Sequence, residues 1–396
     1  MWVWWGPVSG RVLSVRVQAA VVGVAMAVAA GGATGGVEAR DSERRASAVD
    51  RLSAPQLVGQ RVIASYEGLE PPDALFELIR EGKVAGVIFF GANIANRTQI
   101  ANVIADLQGA AQHAILPRPL RRPLLMMTDQ EGGIVRRIPG PPGLTEQEIG
   151  EGPRSRLAAK QAGRAAGQTV GSVGVNVNLA PVLGVLSTSD NFLQQFGRLY
   201  STHKRKVSRL GGAFIAAQQR QGVATTAKHF PGLGGAGSTD TDTAPVTIDR
   251  TKHQLRTIDE FPYNKAIADG TRLVMISNAT YPALDPERPA SLSRPIIRGE
   301  LRRRLGFRGV TITDALEAGG LEDFGPIPHR GVLAARAGAD LLLFSEQEIE
   351  EGVAGYGELR RTFQGGSMDE REFHGSVGRV LRLRNELDKG ERLSPP

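Results

Sequence analysis

The amino-acid sequence predicts an α/β protein built as a (β/α)8 barrel in one domain. Eight short runs of apolar and β-branched residues alternate with longer amphipathic stretches, which is the pattern of a parallel sheet covered by helices. Eight such units close naturally into a barrel, whose functional residues occupy the carboxyl ends of the strands. Several of the predicted strands end at ionisable residues, which agrees with that arrangement.

The predicted strands are short and follow one another along the chain after residue 60. They cover residues 61–66, 84–90, 124–128, 175–179, 223–227, 273–277, 310–313 and 340–344. The predicted helices between them include residues 72–81, 97–111, 154–173, 204–221, 251–268 and 295–305. Further helices are expected beside the barrel after residue 346, of which residues 368–387 are the clearest. An open doubly wound sheet is the alternative fold, but no Gly-x-Gly-x-x-Gly follows the first strand and no Walker-type loop is present.

The first 39 residues have the pattern of a signal peptide and linker. Arg11 and Arg16 precede an apolar stretch of small residues at 17–30, and a glycine-rich segment follows. The apolar stretch is shorter than the roughly 20 residues that a membrane-spanning helix needs. We therefore expect export, a signal cleaved near Ala27-Val28-Ala29, no stable membrane insertion afterwards, and a folded domain within residues 40–396.

Composition narrows the classes of function. The chain of 396 residues has 41% hydrophobic and 22% charged residues, which fits a soluble globular protein with a sizeable core. It contains no cysteine, so disulfides, a thiolate nucleophile, a zinc-thiolate site and a lipoprotein anchor are excluded. The formal charge of +7 comes from scattered arginines that acids balance locally, so we expect no nucleic-acid partner.

The segment 228–232, Lys-His-Phe-Pro-Gly, is the most informative part of the sequence. Lys228 and His229 come at the end of an apolar run, and Pro-Gly then ends the strand. A cation and an imidazole at a strand's carboxyl end usually contact a polar ligand, although a structural ion pair is the alternative. Two further predicted strands run directly into Asp129 and Asp314, at the same end of the predicted barrel.

Together these motifs resemble those of glycoside hydrolase family 3, and most closely its single-domain bacterial β-N-acetylglucosaminidase branch. The resemblance covers roughly residues 52–346, and its motifs occur in the family's order at strand ends. The matching segments are residues 129–133, 178–183, 196–198, 228–232 and 305–314. The resemblance implies a single catalytic (β/α)8 domain and a carbohydrate substrate, with peptidoglycan fragments as one class of substrate.

Three places depart from the family pattern. Gly184 stands where an aspartate is usual, and Leu199-Tyr200-Ser201 replaces the usual Ser-Phe-Gly after Arg198. Thr313 stands where serine is commoner, directly before the residue that matches the family's nucleophile. The segment 228–232 itself is intact.

The chemistry of glycoside cleavage suggests a role for each motif residue. Displacement at an anomeric carbon needs a carboxylate that attacks and then leaves, and Asp314 at a strand end suits that role. The alternative role of Asp314 is the N-cap of a helix beginning at Ala315. Charge-assisted hydrogen bonds to sugar hydroxyls are expected from Asp129, Arg198, Lys228 and His229. We expect no metal and no organic cofactor, because the six histidines are too sparse and scattered to build a zinc site.

The expected acid/base is where the sequence differs most from its relatives. In the β-N-acetylglucosaminidase branch, the loop after the Lys-His motif carries Asp-Ser-His, whose imidazole protonates the leaving group. The loop at 233–243 has no histidine, but with one inserted residue Asp240-Thr241-Asp242 aligns with that triplet. Asp242 would then be the acid and Asp240 its orienting partner, because desolvation or a neighbouring carboxylate raises a carboxyl pKa. The alternative is a glycine-rich solvent loop with two ordinary aspartates.

The sequence thus predicts an exported glycoside hydrolase that removes terminal β-linked N-acetylhexosamine, or a related β-glycoside. Retention of configuration through a covalent intermediate on Asp314 is expected. A sugar-binding barrel that has lost catalysis is the main alternative, since the loop lacks its histidine, but such a protein would not need Asp314. Sensitivity of sugar turnover to Asp314 separates the two. No oligomeric state is predicted.

Overall fold

The computed structural model describes residues 48–389 and Leu393, and a parallel β-barrel lies at its centre. Its eight strands are β1 Val62–Ala64, β2 Gly86–Ile88, β3 Leu125–Thr128, β4 Val177–Asn178, β5 Ala224–Phe230, β6 Leu273–Ile276, β7 Val310–Thr313 and β8 Leu342–Leu343. Each overlaps one of the eight predicted runs, so the predicted (β/α)8 fold is confirmed. Only β5 extends beyond its predicted end, since it continues past residue 227 to Phe230.

The strands pair in sequence order, and every pairing in the barrel is parallel. Adjacent strands from β1 to β7 are joined directly, and β1 also pairs with β8 through Val62 and Leu342. The gap between β7 and β8 is bridged by Ile312 and Leu341, where the Leu341 amide donates to the Thr311 carbonyl at 2.9 Å. The sheet therefore closes on itself, and the carboxyl ends of all eight strands lie at one end of the barrel.

Alternation along the strands divides the buried apolar residues into two layers. Val62 and Met126 pack outward in the larger cluster, which includes the apolar faces of the helices. The strand residues that alternate with these outward-facing ones form the cluster inside the barrel, which includes Ile63, Ile88, Leu125, Met127, Val177, Leu273, Met275, Val310 and Ile312. Burial on both faces explains why the strands read as continuous apolar runs in the sequence.

Helices join the strands and cover the outside of the barrel. They are Asp73–Arg80, Arg97–His113, Ser155–Gly171, Lys204–Gln219, Phe261–Ala268, Pro295–Arg304 and Ile327–Ala337, of which Pro295–Arg304 is π-helical. The predicted helix at 251–268 is divided into Lys252–Gln254, the π-helical turn Leu255–Asp259 and Phe261–Ala268. Pro262 has no amide hydrogen to donate, so an unbroken α-helical hydrogen-bond ladder cannot pass through it.

Shorter elements lie before β1 and in the loops at the strand ends. The short α-helices are Ala54–Gly59 and Glu146–Glu151. Two hairpins pair Gln130–Gly132 with Val135–Arg136 and Thr280–Tyr281 with Asp285–Pro289. The 3-10 turns are Gly91–Asn93, Arg118–Arg121, Gln194–Phe196, Ala290–Leu292 and Gly319–Phe324.

Two helices after β8, Ile349–Gln364 and Glu370–Asp388, complete the described chain apart from Leu393. Val380 of the second helix belongs to the apolar cluster inside the barrel. Arg379 of the same helix donates hydrogen bonds to Asp340, which lies just before β8 and is fully buried. The second helix therefore covers the end of the barrel opposite the strands' carboxyl ends.

No helix within residues 48–389 is both long and apolar enough to cross a membrane. The predicted signal peptide and linker at residues 1–39 lie outside the part of the chain that the structure describes.

Candidate active site

The seven residues predicted to form a site line one cavity at the carboxyl ends of the strands. The cavity has a volume of about 450 Å³, and its lining includes Asp129, Arg198, Lys228, His229, Asp240, Asp242 and Asp314. Asp129 and Asp314 directly follow β3 and β7, where the sequence placed them. Lys228 and His229 lie at the carboxyl end of β5, as predicted, and only the predicted strand bound at residue 227 is corrected, to Phe230. The strand continues there because the Lys228 amide still donates to a neighbouring backbone, the carbonyl of Pro181, at 3.1 Å.

A buried ion network holds two cations of the cavity. The Lys228 ammonium nitrogen lies 2.6 Å from Oδ1 of Asp129 and 2.7 Å from Oε1 of Glu131. Glu131 also accepts two hydrogen bonds of 2.8 Å from Arg198, one from Nε and one from Nη2. The side chains of Lys228 and Glu131 are each 2% exposed, so water does not screen their attraction. This geometry fixes both cations without a ligand.

The network sets the protonation states of its members. Burial alone would raise the pKa of Glu131, but the charges of Arg198 and Lys228 outweigh burial and lower it to about 2. Burial alone would lower the pKa of Lys228, but Asp129 and Glu131 raise it above its ordinary value. Lys228 and Arg198 are therefore cationic, and Glu131 is anionic, at neutral pH.

Asp314 lies beside His229 and is half-buried. Its Oδ2 is 3.9 Å from Nε2 of His229, and its Oδ1 accepts a 3.1 Å hydrogen bond from the Ala315 amide. Burial and then the charge of Lys228 lower the pKa of His229 well below its ordinary value, so the imidazole is neutral. The alternative role of Asp314 as a helix cap is wrong, because a turn follows it and the next helix begins only at Gly319.

The carboxyls of Asp314 and Asp242 interact electrostatically. Burial and then the charge of Asp242 raise the pKa of Asp314 to about 8. The pKa of Asp242 is also raised, by partial desolvation and, to a smaller extent, by repulsion from Asp240. The residue nevertheless remains exposed at the edge of the cavity. Two carboxyls that repel each other as anions retain a proton at a pH where isolated aspartates are ionised. Asp314 therefore keeps its proton to a higher pH than an isolated aspartate does.

The loop that carries Asp240 and Asp242 is folded by its own hydrogen bonds. Oδ1 of Asp240 accepts a 3.0 Å hydrogen bond from the Asp242 amide, which is an Asx turn. The Asp240 carbonyl accepts from the amide and the hydroxyl of Thr243, at 3.0 and 2.9 Å. Turn chemistry thus explains part of the preference for aspartate at 240, as the alternative interpretation held. Both carboxyl-bearing residues nevertheless line the cavity.

Two buried glutamates near the site were not among the predicted site residues. Glu131 belongs to the recognised segment 129–133, so the sequence did contain a signal for it. Glu146 is 2% exposed; its Oε1 accepts from the Val182 amide at 2.9 Å, and its Oε2 has no hydrogen-bond partner among the described residues. Burial and then the charge of Glu131 raise the pKa of Glu146 well above its ordinary value. In the sequence, Glu146 after Thr145 looks like an ordinary acid in a helix's first turn.

Arg137 and Glu317 also line the cavity and were not predicted. The Arg137 amide donates to the Asp129 carbonyl at 3.1 Å, and its Nε is buried without a hydrogen-bond partner in the described part of the chain. Glu317 accepts a hydrogen bond from the Ser345 hydroxyl, and burial raises its pKa against the effect of that hydrogen bond. Nothing in a single sequence separates these two residues from other charged residues in loops.

Two departures from the family pattern are in contact with each other. A Cβ atom on Gly184 would lie 2.7 Å from Cδ2 of Leu199 and 3.3 Å from the amide nitrogen of Gly234. Leu199 is buried, so an apolar side chain fills the space beside residue 184. A side chain at 184 would require Leu199 to move, so the glycine and the leucine fit each other in this chain.

Comparison of the sequence with known proteins identifies a family and several relatives. The profile described as the glycosyl hydrolase family 3 N terminal domain matches residues 51–383. A protein named uncharacterized secreted glycosyl hydrolase, from Arthroderma benhamiae, is 43% identical over 331 residues, which cover 83% of this chain and 92% of that protein. A β-hexosaminidase from Idiomarina loihiensis is 33% identical over 276 residues, which cover 67% of this chain and 78% of the relative.

Solved structures show the same similarity. A family 3 β-N-acetylglucosaminidase from Paenibacillus sp. superposes with a TM-score of 0.78 at 34% identity. That match covers 85% of this chain but 63% of the other, so the chain spans less than two thirds of that protein. A β-N-acetylhexosaminidase from Beutenbergia cavernae gives a TM-score of 0.76 at 29% identity, over 84% of this chain and 99% of the other. By profile, relatives and fold, the chain belongs to glycosyl hydrolase family 3.

Proposed function

We propose that this chain is a retaining β-glycosidase that removes terminal β-linked N-acetylhexosamine, or a related β-glycoside. The observation that carries the proposal is that two interacting carboxyls share one cavity with cations already fixed by a buried ion network. The names of the relatives, β-hexosaminidase and β-N-acetylglucosaminidase, support the substrate class. Peptidoglycan fragments are one class of carbohydrate that presents such a terminal sugar.

Asp314 is the nucleophile in this proposal. Its carboxylate attacks the anomeric carbon, the bond from that carbon to the leaving oxygen breaks, and a covalent glycosyl ester forms on Asp314. Burial and then the charge of Asp242 raise the pKa of Asp314 to about 8, and the positive charges of Lys228 and Arg198 oppose that rise, so the two cations favour the ionised form that attacks. Because His229 is neutral, it forms no ion pair that would weaken the attacking carboxylate.

Asp242 is the general acid and then the general base. It first donates its proton to the leaving oxygen, and later takes a proton from the water that attacks the anomeric carbon. That second attack breaks the ester to Asp314 and restores both carboxyls, with net retention of configuration. Desolvation and then the charge of Asp240 favour a protonated Asp242, and Oδ1 of Asp240 accepts a hydrogen bond from the Asp242 amide.

The remaining cavity residues bind the sugar. Hydrogen bonds to sugar hydroxyls come from Asp129, Arg198, Lys228 and His229, and Arg137 adds a guanidinium whose Nε has no partner among the described residues. Glu131 acts indirectly, because it is buried and forms ion pairs with both Lys228 and Arg198. Cations held in place in this way need no rearrangement when the sugar ring distorts toward the transition state.

Export is part of the same proposal. Residues 1–39 would act as a signal peptide, and residues 40–396 would form the catalytic domain with its C-terminal helices. The relative from Arthroderma benhamiae is named as secreted, which supports this assignment. No metal or organic cofactor takes part in the proposed steps.

A substrate panel tests the proposed function. The purified protein would be assayed with β-linked nitrophenyl N-acetylglucosamine, N-acetylgalactosamine and glucose, with Asp314→Asn as the inactive control. We expect turnover to be fastest with an N-acetylhexosaminide and to be lost in Asp314→Asn. A sugar-binding barrel without catalysis would instead bind these sugars while the unmodified protein and Asp314→Asn gave equal background rates.

A further inference from the structure

The segment 232–244 after β5 is held by two different loops, one at each of its halves. The first half is bound from the loop after β4, where Nδ2 of Asn191 donates to the carbonyls of Leu233 and Ala236, at 2.9 Å each. Residues 238–239, between the two halves, are exposed. The second half, which carries the two aspartates, is therefore positioned by contacts of its own.

Those contacts come from two glycines in the loop after β7. The Gly319 amide donates to the Asp242 carbonyl at 2.8 Å, and the Gly320 amide donates to the Thr241 carbonyl at 3.0 Å. A Cβ atom would lie 2.4 Å from the Thr243 carbonyl oxygen at Gly319, and 2.8 Å from the Thr241 carbonyl oxygen at Gly320. Both obstacles are backbone atoms and cannot swing aside, so only glycine allows the two loops to approach this closely.

We propose that Gly319 and Gly320 are positioning residues that hold Asp242 in register with Asp314. Asp314 begins the loop in which the two glycines lie, and its own amide donates to the Ile276 carbonyl at 3.0 Å. Two backbone hydrogen bonds from this loop therefore set the position of the acid relative to the nucleophile. The inference rests on the roles proposed above for Asp242 and Asp314.

Backbone anchoring matters here because the side chain of Asp242 is exposed and packing does not fix it. Proton donation requires the acid to lie within hydrogen-bond reach of the leaving oxygen, so a small displacement costs much of its effect. The anchoring loop is itself supported from the core, since the buried Asn278 donates to the Ala315 carbonyl at 2.7 Å. The position of the loop after β5 is therefore fixed relative to β7.

Hydrogen exchange of the unmodified protein tests the contact without any need for activity. The amides of Gly319 and Gly320 are expected to exchange at least about tenfold more slowly than those of the exposed residues 238–239. Comparable exchange in the two segments would overturn the proposal, because the loops would then not be bonded to each other in solution.

A matched pair of substitutions tests the consequence for catalysis. Gly320→Ala inserts a methyl group into the contact, whereas Gly143→Ala is the control because a Cβ there meets no atom within 4 Å. Gly320→Ala should lower kcat/KM for a disaccharide at least about tenfold and that for a dinitrophenyl glycoside less than about twofold, since kcat/KM reports formation of the ester and only the disaccharide needs the acid in that step. Gly143→Ala should change neither rate.

The outcomes separate this inference from the proposed function. Equal losses on both substrates in a folded Gly320→Ala, or no loss on either, would overturn the positioning role. If Asp242→Asn slows the disaccharide selectively and Gly320→Ala does not, the glycine contact alone is wrong. If Asp242→Asn also lacks that selectivity, the proposed acid is wrong, and the exchange result alone then decides whether the loops are bonded. Melting temperatures identify a variant that fails to fold, in which case the exchange measurement on the unmodified protein decides the proposal.

Discussion

Arg198 donates two parallel hydrogen bonds of 2.8 Å to the carboxylate of Glu131, at the edge of the cavity that holds Asp314. The same carboxylate lies 2.7 Å from the ammonium nitrogen of Lys228, so one buried anion orients two cations. Sequence motifs placed the cations in the site but gave no role to the anion between them. Glu131 is thus the residue on which the arrangement of the sugar-binding groups depends.

Glu131→Gln should destabilise the protein and impair catalysis together. An amide cannot balance two buried cations, and removal of one partner from a buried ion pair costs about 3 to 5 kcal/mol. We expect the melting temperature at pH 7 to fall by about 5 °C or more, while the exposed substitution Glu77→Gln leaves it unchanged.

The stability that Glu131→Gln loses should depend on pH. The folded-state pKa of about 2 lies below the ordinary value of 4.5, so the stabilisation is complete above pH 4.5 and disappears as the pH falls toward 2. The difference in melting temperature between the unmodified protein and Glu131→Gln should therefore shrink over that range. A difference that stays constant from pH 7 to pH 3 would mean that the charge of Glu131 is not responsible.

Lys228→Ala should reduce kcat/KM at least about tenfold, because hydrogen bonds to charged groups contribute about 1.5 to 3 kcal/mol. His229→Ala should reduce it less, by about 2- to 10-fold, because the imidazole is neutral and a neutral hydrogen bond contributes about 0.5 to 1.5 kcal/mol. Lys160→Ala removes an exposed lysine on the helix Ser155–Gly171 and serves as the control. Steady-state kinetics on the best substrate of the panel check this prediction. Unaltered kinetics in both site variants would mean that the Lys-His pair is structural and that sugar binds elsewhere.

Asp314→Asn should stabilise the protein while it abolishes activity, and the gain should grow with pH. Burial and Asp242 raise the pKa of Asp314 from 3.8 to about 8, so its ionisation in the folded state is unfavourable. The stability that the protonated group retains below pH 3.8 is lost as the pH rises through 8. Asparagine does not ionise, so the variant should exceed the unmodified protein by about 2 °C or more at pH 8.5, and by less at pH 5.

The exposed substitution Asp106→Asn provides the control for the loss of one surface carboxylate. Thermal melts of the three proteins at several pH values are sufficient for this comparison. A melting temperature of Asp314→Asn that stays at or below that of the unmodified protein at pH 8.5 would show that Asp314 is not held at an unfavourable charge.

Asp242→Asn should affect substrates according to their leaving groups. For a disaccharide, kcat/KM should fall about 100-fold or more because the departing oxygen needs protonation, whereas kcat/KM for a dinitrophenyl glycoside should change little because dinitrophenolate departs unaided. Azide should restore turnover of the dinitrophenyl glycoside by attacking the glycosyl ester that accumulates. Asp240→Asn keeps an oxygen that can accept the Asp242 amide, so its effect should be milder. Equal slowing of both substrates in Asp242→Asn would remove the acid from this loop.

Much of the fold follows from the sequence because each strand is buried on both faces. Residues such as Ile63 and Val62 point to opposite sides, yet both sides are apolar, so the strand appears as an unbroken apolar run. The helix predicted at 251–268 was less accurate, since periodicity does not reveal the π-helical turn before Pro262. The strand predicted at 223–227 also ended too early, because the pairing that extends β5 to Phe230 is made with Pro181, which is distant in the sequence.

The candidate site was predictable where a residue type is unusual for its position. Lys228 and Asp314 stand out because charged residues rarely end apolar runs without a reason. Glu146 and the pair Gly319 and Gly320 do not stand out, because glutamate in a helix's first turn and glycine in a loop are ordinary. Their roles arise from contacts between segments far apart in the chain, such as that of Glu146 with Val182.

Capture of the covalent intermediate is the sharpest test that Asp314 is the nucleophile. The protein would be mixed with a fluorinated dinitrophenyl glycoside, which forms the ester faster than water removes it, then digested and analysed by mass spectrometry. We expect one added sugar on the peptide that contains Asp314, and none in Asp314→Asn. A sugar found instead on Asp242 or Glu317, or turnover with inverted configuration and no labelled peptide, would contradict it.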